Sequence, residues 1–280
     1  MANTTTINSE LFTKLLVQSQ FQAYESALSR AVASVFDFPS NAGNTIQVPL
    51  WDAVSAAKPG EGIAPSAEDT NTTSKDISLV EHVVRHVVTD MLRDSANENV
   101  IMSLADQSGR AIAESLDSDL FALFSDVSIT QEVGTTLTVN SVDDLMKAAA
   151  ILRGRKLTGP FYAVVNPVQA YNLKKELAAN GGNNIPALSD VGERVLQESV
   201  IGRVSGITVV ESALVGLDGT DAIGAVFSPA AFGVAQRGSL TMETQREAAA
   251  RATEVVMTAV AGVGILRPEY AVRLLGTGAF

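Results

Sequence analysis

Two histidines, His82 and His86, stand four residues apart with Glu81 beside them, a spacing that on a helix would turn both imidazoles to one face for a metal ion. No third ligand is apparent, no H-E-x-x-H order surrounds them, and the run reads as a strand. They are therefore expected to be ordinary exposed or interface histidines. The adjacent Asp143 and Asp144 offer paired carboxylates for acid–base work, yet both fall in the first turn of a helical segment, where the helix dipole favours acids. Gly154-Arg155-Lys156-Leu157-Thr158-Gly159 brings glycines and cations together but lacks the G-x-x-x-x-G-K-[ST] order that cradles a phosphate; it reads as a helix stop and a solvated turn. There is no G-x-S-x-G elbow, and two histidines leave a dispersed serine triad few ways to form. The absence of cysteine removes disulfides, thiolate metal sites and thiol nucleophiles, and fits a reducing compartment. No catalytic, cofactor-binding or metal-binding residue is expected, and no cofactor.

Composition narrows the classes further. A chain of 280 residues with 46% hydrophobic content can bury a sizeable core, in one large domain or two modest ones. With 31 acidic against 20 basic residues the formal charge is -11, which opposes any role that coats phosphates with Lys and Arg. Contact with DNA would have to be by enclosure. Met1 to Asn8 is polar and threonine-rich, with no basic flank leading into an apolar run, so no secretory signal is expected. The longest apolar stretch, Val255 to Leu266, is too short and too glycine-interrupted for a membrane span of about 20 residues.

The elements that would position any such residues can be read in turn. Apolar residues from Leu11 to Val35 recur at three- and four-residue spacing, predicting one or two short helices in an arm that ends near Pro39. Thr45 to Trp51 and Lys75 to Val88 read as two arms of one long β-hairpin. Asp52 to Ser74 between them is too poor in large apolar residues to build its own core, and reads as a loop that becomes ordered on a neighbour. Trp51, the only tryptophan, fits an interface or a half-buried monomer position equally well. Ser95 with Glu98 has capping-box spacing, and Val100, Ile101, Leu104, Ala105, Ile112, Leu116, Leu120 and Phe124 form the stripe of a helix about 40 Å long. Asp106, Gln107, Arg110, Glu114, Asp117 and Ser118 would lie on its polar side. Ser141 caps a second helix that stops at Gly154. Phe161 to Val165 is a buried strand, Gln169 to Ala179 a helix, and Val204 to Val210 and Ala222 to Phe227 are further strands around a glycine-rich loop, Ala213 to Asp221. From Ser239 the chain reads as one closing antiparallel sheet, with strands at Leu240–Glu243, Thr253–Val263 and Tyr270–Leu275, packed on the long helix.

This order resembles the tailed-phage major capsid proteins of the Hong Kong ninety-seven type over nearly the whole chain. The resemblance is carried by Asn44-Thr45-Ile46-Gln47-Val48-Pro49, Val164-Val165-Asn166-Pro167 and Gly202 to Ser212. Phe227-Ser228-Pro229-Ala230-Ala231-Phe232-Gly233 and Val260 to Glu269 carry the rest. It implies an α+β fold with an N-terminal arm (1–40), an extended β-hairpin loop (41–90), a peripheral domain with spine helix and sheet (91–140 and 236–280) and a mixed α/β axial domain (141–235). It also implies a structural protein of the virion, assembled in the bacterial cytoplasm as pentamers and hexamers of itself into an icosahedral shell around double-stranded DNA. Its partners would be a portal protein and, where used, scaffolding or decoration proteins, with no membrane. One branch of the family joins a loop lysine to a peripheral-domain asparagine. Lys58 and Lys75 could supply the amine here, but no asparagine follows Asn184, so the closing sheet offers no acceptor and no cross-link is expected. The chain opens directly on the arm, so scaffolding is expected from a separate protein or a removed prefix. An encapsulin-like compartment enclosing a cargo enzyme shares the same subunit plan, and a small-molecule enzyme built on the α/β part is the alternative from a different class.

Overall fold

A computed structural model of the chain describes residues 17–18, 28–38, 43–51, 71–91, 98–136, 140–181 and 202–279, with 54, 56, 58, 60–62, 64 and 138 in addition. In chain order the elements are helix α1 (Leu28–Val32) and strands β1 (Ser34–Phe38), β2 (Thr45–Trp51), β3 (Thr72–Ser78) and β4 (Val80–Thr89). Helix α2 (Glu98–Ala122), β5 (Glu132–Val133), α3 (Val142–Gly154), β6 (Phe161–Val165) and α4 (Pro167–Gly181) follow. The chain closes with β7 (Arg203–Val204), β8 (Ile207–Glu211), β9 (Leu217–Asp218), β10 (Asp221–Phe227), β11 (Phe232–Glu247), β12 (Ala252–Ile265) and β13 (Ala271–Thr277).

Two larger sheets organise the described chain. The first has four strands in the order β1-β11-β12-β4, and α2 packs on it through Ala105 and Ile112 against Leu240, Val255 and Met257. The second has the path β5-β13-β10-β6-β8-β7, with β9 paired to β10. One of its cores joins α3 and α4 to the sheet through Leu145, Leu152 and Leu173 against Val165, Ile207 and Val272. Another core, around Phe124, binds the end of α2 to both sheets. There the ring of Phe124 lies 5.4 Å from Phe121, 5.6 Å from Phe227 and 5.6 Å from Phe232.

The long helix, the Ser141 cap and the central strands form as expected. Ser141 Oγ accepts from the Asp144 backbone N–H while the Asp144 carboxylate accepts from the Ser141 N–H, so Asp144 closes a capping box. The expected Ser95 cap lies outside the described residues. Five expectations differ. Helical spacing does not continue to Val35, because Phe36 and Phe38 turn inward as the alternate residues of a strand. Asp117 is buried, because its carboxylate accepts from the N–H groups of Leu28 (3.0 Å) and Ser29 (2.7 Å) and so caps α1. The second hairpin arm divides at Leu79: β3 pairs with β2, whereas β4 becomes an edge strand beside β12. The Val204–Val210 run is a tight hairpin turning at Ser205 (φ 52) and Gly206 (φ 84), left-handed conformations that a two-residue turn requires. The final strand β13 leaves the closing sheet and pairs with β10, because Val272 and Leu274 fill the core beneath α3.

Candidate assembly surface

The hairpin β2–β3 is seated by its inner face. Ile46, Val48 and Ile77 are buried with Ala235 and Leu266. Gly233 and Gly264 are a cross-strand pair, and a Cβ on either would meet Ile77, at 3.0 Å from Cδ1 and 2.9 Å from Cγ1. This pair of missing side chains makes the dent that receives Ile77. A Cβ on Gly262 would stand 2.1 Å from the Ser78 carbonyl oxygen, so the bare backbone there lets the chain cross from hairpin to sheet at Leu79.

Two arginines hold the hairpin's ends. Arg237 Nη1 donates to the Gly43 carbonyl at 2.9 Å, and Arg267 Nη2 donates to the Trp51 carbonyl at 2.8 Å. The Arg267 guanidinium also lies 5.3 Å from the Tyr270 ring centroid, a cation–π arrangement that fixes its direction. Beyond this clamp the Trp51 side chain is 62% exposed and Val54 is exposed as well. Lys58 and Lys75 are both exposed. The segment's described residues thus have a held root and a solvent-facing far end.

Edge strand β4 presents two faces. His82 and His86 do not bind as a pair on a helix; they point from β4 onto α2, where His82 Nδ1 lies 2.9 Å from Ser115 Oγ and His86 Nε2 lies 2.8 Å from Ser108 Oγ. Ser108 Oγ donates to the Leu104 carbonyl, so His86 Nε2 is the donor of its pair. Of the two expected placements, exposed or interface, the exposed one is corrected for His82, which is 8% exposed, and burial pushes the His86 pKa below its ordinary value. The opposite face of β4 carries Val83 and Val87, both exposed, with Arg85 paired to Glu254 of β12. That pairing raises the arginine pKa and lowers the glutamate's. Among the described residues no group of three His, Cys, Asp or Glu side chains could hold a metal ion.

The central sheet has a cleft near each end. One of about 660 Å³ is lined by Glu132, Thr135, Asp144 and Lys147 among others. Lys147 is held charged there by Asp143 and Asp144, which raise its pKa, the opposite of what a general base needs. The other, about 480 Å³, lies between Arg153, Lys156, Thr158 and Gly206. The glycine-rich loop is partly ordered by β9, with Val215 buried and Leu217 exposed at its tip.

Sequence reasoning missed Gln169, which is fully buried. Its Oε1 accepts from the Asn166 N–H at 3.2 Å and its Nε2 donates to the carbonyls of Ala222 (3.0 Å) and Leu274 (3.4 Å). It ties the strand–helix corner at Asn166-Pro167 to β10 and β13, and its only sequence signal is a polar residue on the apolar side of a helix.

A sequence model of the phage capsid protein family matches residues 72–274. No curated protein matches in sequence. Among solved structures, the capsid of cyanophage P-SCSP1u is 20% identical, with a TM-score of 0.66 over 88% of this chain and 87% of that one. The capsid of Ralstonia phage GP4 is 14% identical, with a TM-score of 0.67 over 92% and 91%. A virus-like particle from Pyrococcus furiosus is 16% identical, with a TM-score of 0.58 over 94% and 98%. At these identities the likeness is one of fold, the α+β Hong Kong ninety-seven type. With the matched pattern running from the first residue of β3 into β13, the chain belongs to the phage capsid protein family.

Proposed function

We propose that this chain is the major subunit of an icosahedral phage shell, built from pentamers and hexamers of itself around double-stranded DNA. The observation that carries this reading is the hairpin: one face is seated on Gly233 and Gly264 and its root is clamped by Arg237 and Arg267, while Trp51, Val54 and Lys58 stand in solvent. A long, anchored, outward-facing segment without a core of its own gains order by lying on a neighbour. The two sheets support a division of labour. The arm (1–40) and extended loop (41–90) reach other copies with the parts that lie outside β1 and β4, which pair with β11 and β12; α2 with that sheet forms the peripheral part, and residues 141–235 form the axial part, to which β13 lends its strand. The virion is the site of action. A portal protein, with scaffolding or decoration proteins where used, completes the particle, and the net charge of -11 lets packaged DNA move without sticking.

Negative-stain electron microscopy of the full chain, expressed alone and with its neighbouring genes, tests the reading. Closed polyhedra or rings of five and six are expected; a monodisperse monomer or dimer under every condition would refute it. A shell without isopeptide bonds is expected, because with no asparagine after Asn184 the closing sheet offers the loop lysines no acceptor. A denaturing gel of assembled particles should therefore show a single band, and a covalent ladder would contradict this. The likeness to the Pyrococcus furiosus particle over 94% of this chain favours a second reading, a compartment shell enclosing a cargo enzyme. Nuclease-protected DNA in purified particles supports the first reading, and a stoichiometric second protein in place of nucleic acid supports the second.

A further inference from the structure

Helix α3 lies across one face of the central sheet and touches β5, β13, β10 and β7. On the sheet path β5 and β7 are the two edges, about 24 Å apart at ~4.8 Å per strand, and the helix itself spans about 20 Å. Its N-terminal end meets the β5 edge, where Asp144 and Lys147 line the same cleft as Glu132. Its C-terminal end meets the β7–β8 turn, where Arg153 Nη2 donates to the Ser205 carbonyl at 2.6 Å.

The two ends carry opposite charge. At the β5 edge stand Glu132, Asp143 and Asp144, offset by Lys147 and Arg273. At the β7 edge stand Arg153, Arg155, Lys156 and Arg203. The recorded acceptors of the three arginines are the carbonyls of Ser205 and Glu269 and the Thr208 hydroxyl; among the described residues none is a carboxylate. The helix dipole accounts for Arg153 and Arg155 at the end of α3. It does not account for Lys156 past the helix end or for Arg203 on a separate strand, both exposed beside the 480 Å³ cleft or its turn. Among the described residues neither Lys156 nor Arg203 has a carboxylate partner, so in a chain of net charge -11 an acidic surface would complement them.

We infer that the β7 end of one copy docks head-to-tail against the β5 end of the next, with Lys156 and Arg203 facing Glu132 and Asp143 of the neighbouring copy. The inference rests on the ring-forming reading above. A closed ring needs two different patches on each subunit, and opposite charges at opposite edges of one rigid layer set the direction of the contact and penalise its reverse.

Three full-length variants test it: K156E/R203E, E132K/D143K, and the quadruple charge swap, compared by sedimentation and electron microscopy, with thermal unfolding to establish that each folds. Either one-sided reversal is expected to raise the concentration needed for assembly by more than about tenfold, and the quadruple swap to restore it. Mixing the two one-sided variants gives a sharper outcome. Each can then pair only with the other kind, so copies must alternate, which a six-membered ring permits and a five-membered ring forbids. The mixture should form hexamers and sheets or tubes but no closed polyhedra. The milder pair K156Q/R203Q should shift assembly in the same direction by less, should a reversal fail to fold. Assembly of both folded one-sided variants at wild-type concentrations would overturn this contact alone. A wild-type chain that forms no rings would overturn the functional reading and this contact with it.

Discussion

The Gly233–Gly264 pair shows how a residue without a side chain directs one that has it. Ile77 rests where both Cβ atoms are missing, so G264A must either displace Ile77 or tilt the hairpin. Alone it should cost about 1–3 kcal/mol, the usual penalty of overpacking. I77A should cost about 2–5 kcal/mol by emptying the site. The two changes share one volume, so the double variant should fall well short of their sum, and a double-mutant cycle by chemical denaturation measures this; strict additivity would mean the contact is unimportant. Burial of His86 gives a second residue-scale consequence. Its pKa in the fold lies below that of the unfolded chain, so between pH 6.5 and its lowered value the unfolded state binds more protons. Stability from this group is present above about pH 6.5 and is lost as pH falls through the lowered pKa. H86Q keeps a donor for Ser108 without the titration. Its denaturation midpoint should therefore fall less than the parent's between pH 7 and pH 5, and parallel curves would refute the assignment.

Elements were legible where their signal is local and illegible where a distant partner decides. The α2 stripe, the Ser141 cap and the Thr45–Trp51 strand follow from periodicity and capping chemistry, and all three form. The run from Ile77 to Val88 is rich in β-branched residues throughout and gives no hint of its division at Leu79, because Gly262, far along the chain, provides the crossing. Tyr270 to Leu275 reads as extended like its predecessors, so nothing local says that it changes sheets. The surface behaved likewise. Composition left Trp51 undecided between an interface and a half-buried position, and the Arg267 clamp on its carbonyl, spanning 216 positions, leaves no motif. Asp117 sits at the same boundary: placed by periodicity on a polar face, it instead caps another helix. D117A should cost about 2 kcal/mol, a lost cap with its buried donors left unpaired. Protease cleavage between residues 1 and 35 should accelerate before global unfolding does, and if both change together the arm is not an independent unit.

At the scale of the whole molecule, the proposed shell role draws on where apolar surface lies. Val83 and Val87 are 51% and 52% exposed on an edge strand, a combination that a free monomer usually blunts with charge, and Arg85 between them is already occupied by Glu254. The hairpin leaves this same layer and carries its tryptophan outward, with the backbone of Trp51 fixed by Arg267 and the indole free. Assembly should therefore be visible in the protein's own fluorescence, since this is the only tryptophan. When subunits close around one another the indole moves from water onto a neighbour's surface, so emission should shift to the blue and iodide quenching should weaken in step with sedimentation. R267A should leave the monomer's spectrum nearly unchanged, because the indole is already in solvent, yet it should slow assembly by releasing the hairpin's root. A tryptophan that stays fully quenchable in closed shells would place the hairpin's far end outside the contact, and the apolar edge at Val83 and Val87 would then have to carry the association by itself.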